Sequence, residues 1–173
     1  GLTSTAGKEA LRQTLLRHPW MESILVISRD GVVVAAVPED YADLVGRNLT
    51  YQVQTQRAVR EQVPLMNEVF LTEEGFYGIT QSYPIFGPEY LGYVSPAYQP
   101  DALIGRVIVP LTNGTPYDIW VTQTDGMVIY STTPGEIGHN PLSDPDYRSP
   151  ELQEVFSRIV AEPSGSVEYA LRD

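Results

Sequence analysis

Residues 24–49 read ILVISRDGVVVAAVPEDYADLVGRNL, and residues 119–142 read IWVTQTDGMVIYSTTPGEIGHNPL. Both begin with an apolar, strand-like run and reach an Asp-Gly pair, Asp30-Gly31 and Asp125-Gly126. Both leave it through a second apolar run, at 32–34 and 127–129. Both then cross a polar, Pro-containing stretch to a Gly-x-Asn, at 46–48 and 138–140. Asp-Gly between alternating apolar runs predicts a hairpin, because glycine accepts the positive φ of a tight primed turn. Two such hairpins, each followed by the same Gly-x-Asn, imply one module used twice.

Outward from the first hairpin, residues 2–18 predict a helix with Ala10, Leu11, Leu15 and Leu16 as a narrow apolar stripe, ended by Pro19. Residues 46–62 predict a second helix carrying Leu49, Val53 and Val59, stopped by Pro64. Residues 76–86 and 90–98 read as Tyr-rich strands joined through Gly87-Pro88. Proline within both, at Pro84 and Pro96, points to edges or bulges. Residues 101–109 fit a short helix, and 113–116, Asn-Gly-Thr-Pro, mark a boundary.

After the second hairpin, Ser149-Pro150-Glu151 opens a further helix: an N-cap, a proline at the first helical position and an acid in the first turn. Its face holds Leu152, Val155, Phe156, Ile159 and Val160. Residues 165–171 resemble a last strand. The first unit, 1–112, reads as a complete α+β module with an antiparallel sheet. The second, 113–173, reads as incomplete, and the whole sequence as a piece of a longer chain.

Composition narrows the function. A formal charge of −11 argues against nucleic acid and against anionic lipid surfaces, both of which need clustered Lys and Arg. The absence of Cys excludes disulfides and thiolate chemistry. No apolar run reaches the roughly 18 residues of a membrane span. Ser143, His139 and Asp144 lie in one loop without a nucleophile elbow, which argues against a hydrolytic triad. His139, Asp144 and Asp146 do not form a calcium-loop pattern. No cofactor, no metal and no catalysis is expected.

The order of helix, Asp-Gly hairpin, VGRNL (45–49), helix and SYPIFGPEYLGYV (82–94) resembles the Cache (PAS-like) extracellular sensor domains. The segment from the second hairpin through IGHNPLSDPDY (137–147) to SGSVEYAL (164–171) resembles the same module again. The resemblance implies a tandem of two stacked PAS-like units, a long N-terminal helix that continues a membrane helix and pairs in a homodimer, and a small-molecule pocket in the first, membrane-distal unit. It further implies an extracytoplasmic place in a histidine kinase or chemoreceptor, with ligand binding shifting the helix arrangement. A ligand-free dimerisation module is the alternative.

For the pocket, the start of the second helix and the facing strands nominate Tyr51, Gln54, Tyr77, Gln81, Tyr83, Tyr93 and Ser95. Tyr joins an apolar body to a hydroxyl, and the two-residue period puts Tyr77, Gln81 and Tyr83 on one strand face. Arg47 is either a carboxylate clamp or a cap on nearby carbonyls. Family members that bind amino acids carry an Arg-x-Trp-Tyr cluster and an Asp on the last strand. Here the Trp is missing and Ala97 stands where the acid is expected. A buried ammonium would lack its partner, so a small carboxylate or neutral molecule is expected over an amino acid.

Overall fold

The computed structural model describes residues 1–168 except 134, 148 and 163, and it omits the side chain of Asp146. The chain divides into two compact units, Gly1–Leu103 and Ile104–Asp173. The boundary expected after residue 112 therefore falls inside the second unit.

The first unit opens with helix α1 (Thr5–Arg17), whose N-cap Ser4 accepts from the Gly7 amide. Strands β1 (Met21–Ser28) and β2 (Val33–Val37) follow, joined through Asp30-Gly31 with Gly31 at φ 76°. A 3-10 turn (Glu39–Leu44) leads to α2 (Val53–Glu61). Two-residue strands β3 (Leu65–Met66) and β4 (Phe70–Leu71) precede the long strands β5 (Tyr77–Phe86) and β6 (Tyr90–Tyr98). The antiparallel order is β2-β1-β6-β5-β3, with β4 also pairing β5.

Both faces of β1 are covered, which explains its unbroken apolar run. Leu25 and Ile27 pack with Val33, Leu49, Ala58 and Tyr93 on the α2 side. Ile24 and Val26 pack with Leu11, Ala35 and Val37 on the α1 side, flanked by Leu2 and Leu15. Of the apolar stripe of α1, Leu11 is buried and Leu15 half-buried within its own unit, whereas Ala10 and Leu16 are exposed; the helix is 13 residues long.

Three details differ from the sequence reading. Helix α2 begins at Val53 rather than 46, because Gly46 turns at φ 94° and the Asn48 side chain accepts from the Thr50 amide. Its buried face is Thr55 and Ala58, while Val53 is exposed. Pro96 does not mark an outer strand, since β6 lies between β1 and β5. Pairing of β5 with β6 runs through Ile79–Tyr98 and Thr80–Ala97 and resumes at Tyr83–Val94, passing over Pro96. Strand β3 pairs only with Gln81 and Ser82, so Pro84 has no described strand on its outer side.

Helix α3 (Pro100–Thr112) starts at the end of the first unit and continues into the second. The second unit contains the hairpin β7 (Trp120–Thr122) and β8 (Val128–Ser131), a 3-10 turn (Pro145–Tyr147) and α4 (Pro150–Ala161). Ser149 caps α4 as its sequence predicts. The stacked rings of Trp120 and Phe156, 5.4 Å apart, and the edge of Tyr147 form its aromatic core. Within α4, Val155 and Phe156 are buried, but Ile159 and Val160 are exposed. The described part of the last expected strand, 165–168, is not a strand, and 169–171 lie outside the described residues.

The two quoted stretches share one backbone pattern. The amides of Gly31 and Gly126 donate to Ser28 and Gln123 at 2.9 Å. Those of Gly46 and Gly138 donate back to Val33 and Val128 at 2.8 Å. Asn48 and Asn140 each accept from the amide two residues on, Thr50 and Leu142. The hairpin with its Gly-x-Asn return is therefore one local structure formed twice.

Candidate functional site

A small cavity of about 30 Å³ lies in the first unit, between the sheet and the start of α2. Strand β1 supplies an apolar floor, Leu25 and Ile27; β5 supplies Thr80 and Ser82; β6 supplies Tyr93 and Ser95. Gln52, Gln54 and Thr55 enter from the α2 end. The turn between β4 and β5 closes it with Thr72, Glu73 and Glu74. That turn is held by the Thr72 amide bonding Phe76 and the Gly75 amide bonding Thr72.

The hairpin tip is fastened at two points. Glu73 accepts from Gln52 Nε2 and Arg47 Nη1, both at 3.3 Å, and from the Tyr51 hydroxyl. Its carboxylate holds the Tyr51 proton and pushes that phenol up. Glu74 Oε1 accepts from Ser23 Oγ at 2.6 Å, where Ser23 is fully buried in β1. Inside, Tyr93 donates to Thr55 Oγ1 at 3.0 Å, and burial pushes its phenol up to about 12.

Ser82 and Ser95 are 2% and 7% exposed, and neither hydroxyl has a partner among the described residues. Every fully occluded side-chain polar atom among those residues does have one. The two hydroxyls therefore open onto the cavity rather than onto packed protein.

Of the residues nominated from sequence, Gln54, Tyr93 and Ser95 line this cavity. Tyr51 is 64% exposed and reaches the site only through Glu73. Among the described residues Arg47 caps no carbonyl; it pairs with Asp43 at 3.0 Å and with Glu73. Tyr77, Gln81 and Tyr83 do share a strand face, but the opposite one. Gln81 accepts there from Tyr83 and Tyr98, beside a surface hollow lined by Trp20 and Ile79. The buried alternates Gly78, Thr80 and Ser82 face the cavity side instead.

Sequence reasoning missed Thr80, Ser82, Glu73 and Glu74. Gly78, Thr80 and Ser82 on the inner side of β5 are small, and the last two carry hydroxyls, which is the signature of a wet inner face. Ala97 leaves room for a different acid: its cross-strand partner is Ser23, and Ser23 holds Glu74. In the second unit, His139 Nδ1 lies 2.5 Å from Asp144 Oδ2. No cluster of three metal-ligating side chains occurs among the described residues, and the Asp146 side chain is outside them.

Residues 1–100 match the HK/GC/Chemotaxis protein-like sensor domain, so the chain belongs to that family of sensor domains. Solved structures share the fold. An extracellular ligand binding receptor from Desulfohalobium retbaense is 24% identical, with a TM-score of 0.77 over 96% of this chain and 29% of that one. The sensor domain of the V. cholerae histidine kinase DctB is 18% identical, at 0.59 over 78% and 50%. The ligand binding domain of the Pseudomonas aeruginosa amino acid chemoreceptor PctC, in complex with GABA, is 14% identical, at 0.55 over 80% and 62%. This chain spans less than two thirds of the length of each. No curated protein matches it. The architecture is the α+β, PAS-like fold of Cache-like sensors. Among the described residues no helix is long and apolar enough to cross a membrane.

Proposed function

We propose that this chain is the extracytoplasmic sensing portion of a membrane signal-transduction receptor of the histidine kinase or chemoreceptor kind. Its first unit takes a small organic molecule in the cavity beneath the β4–β5 turn. The observation that carries this is a pair of buried hydroxyls, Ser82 and Ser95, that open onto that cavity without a protein partner. Family membership supports the sensing role, and the GABA complex of the PctC domain supports a small-molecule ligand. The recurring hairpin supports a tandem of two Cache units, with catalytic output elsewhere in the receptor. The dimerisation reading draws less support, because Leu11 and Leu15 already pack against the sheet.

A cavity of about 30 Å³ holds roughly two waters. An organic ligand enters only when the hairpin tip gives way, so liganded and empty arrangements differ in shape. Differential affinity for the two then drives the switch. A thermal-shift screen of small amines, alcohols, sugars and carboxylates tests the reading. At least one class should raise the melting temperature, and Ser95→Val, which fills the cavity, should remove that effect while leaving the fold intact. Silence across the panel, or an undiminished shift in the variant, contradicts it.

A further inference from the structure

The cavity has an unbalanced charge. Among the described residues, its only ionisable side chains besides Tyr93 are Glu73 and Glu74, and no Lys, Arg or His lines it. Glu73 is compensated, since Arg47 bonds Oε2 while Tyr51 and Gln52 bond Oε1. Glu74 is not. It receives only the Ser23 hydroxyl, on Oε1, and no cation lies within 4 Å of it among the described residues. Its second oxygen, the two hydroxyls and the Gln54 side chain have no described protein partner and, since no fully occluded polar atom among the described residues lacks one, reach accessible space where a ligand can meet them.

We propose, resting on the pocket reading above, that the ligand is a small ammonium ion, an amine without a carboxylate, with Glu74 as its counter-ion. An alkylammonium head brings one positive charge and three N–H donors. A lone carboxylate with acceptor hydroxyls on the same cavity wall is its complement. A neutral molecule satisfies the hydroxyls but leaves Glu74 uncompensated. A carboxylate adds a third anion to a wall already carrying two and meets no described cation there, which costs affinity. Arg47, the nearby cation, is held by Asp43 and Glu73 and does not line the cavity.

The test uses three two-carbon probes of graded charge, ethylammonium, ethanol and acetate, titrated into the full chain and followed by saturation-transfer NMR. Ethylammonium should bind saturably and at least about tenfold more tightly than either of the others, in keeping with a charge-assisted bond. Glu74→Gln should weaken ethylammonium about tenfold or more and leave ethanol unchanged, while Glu74→Asp restores part of the affinity. Should Glu74→Gln fail to fold, Ser82→Val removes an acceptor without changing charge and should weaken ethylammonium as well. Acetate or ethanol binding as well as ethylammonium, with a loss in Ser82→Val, overturns the amine assignment and leaves the pocket standing. Ethylammonium affinity indifferent to both Glu74→Gln and Ser82→Val overturns the assignment too. Silence from all three probes, together with a silent thermal-shift panel, overturns the pocket reading itself.

Discussion

Ser23, fully buried on β1, donates its hydroxyl to Glu74 Oε1 at 2.6 Å across 51 positions of sequence. It ties the tip of a hairpin to the sheet, next to the Ala97 pairing. Ser23→Ala should cost about 1–2 kcal/mol, the range of a bond to a charged group. Amide exchange should accelerate over 70–76, where the Thr72 and Gly75 amides close the turn. Exchange unchanged in that segment would show that the tip is held by something else.

Tyr93 links the cavity to the pH dependence of folding. Burial first, and the nearby Tyr90 to a lesser degree, push its phenol from 10.0 to about 12 against the opposing Thr55 hydroxyl. The neutral form is favoured in the folded state, so the unfolded chain ionises first. Stability is unaffected below about pH 10 and falls between roughly 10 and 12, by at most about 1.4 kcal/mol per pH unit from this residue. Urea midpoints measured across that window should fall less steeply in Tyr93→Phe. Identical slopes would place the titration elsewhere.

Gly92 pairs with Ser28 at φ 134°, and a Cβ there would sit 2.1 Å from the Ile27 carbonyl oxygen and 2.8 Å from Ser28 Cα. Neither atom can swing away, because both are backbone. Gly92→Ala should cost about 3 kcal/mol or more. Gly46, at φ 94° with nothing within 4 Å, provides the comparison, and Gly46→Ala should cost only the conformational penalty of about 1–2 kcal/mol. Chemical denaturation of both variants decides, and equal losses would refute the steric account.

Leu11 is buried against Ile24, Val26 and Val37, whereas Leu16 on the same helix is 63% exposed. Leu11→Ala should destabilise the first unit by about 2–3 kcal/mol without changing its sedimentation. Leu16→Ala should leave stability within about 0.5 kcal/mol. If α1 pairs two copies, the Leu16 variant is the one whose sedimentation changes.

The hairpins, the β6 limits and the Ser149 cap were legible from residues alone because each depends on local chemistry. Asp-Gly demands its turn wherever the chain goes, and Ser-Pro-Glu starts a helix without tertiary help. The face of β5 was not legible. Alternation separates Tyr77, Gln81 and Tyr83 from Gly78, Thr80 and Ser82, but it does not say which set points to α2. Aromatic hydroxyls looked like ligand groups, yet the inner face carries small residues, since bulk there would fill the cavity. Glu73 and Glu74 were not among the nominated residues, because nothing local marks their turn as part of a pocket. Only the fold brings Ser23 and Arg47 to them.

Amide-resolved NMR of the full chain with a mixture of small cations, alcohols and carboxylates tests the central claim most directly. Binding in the first unit predicts shift changes gathered on Thr72–Gly75, Thr80, Ser82, Tyr93 and Ser95, with the tip residues moving most. Changes confined to the outer face around Gln81, Tyr83 and Tyr98, or to the second unit alone, would contradict it.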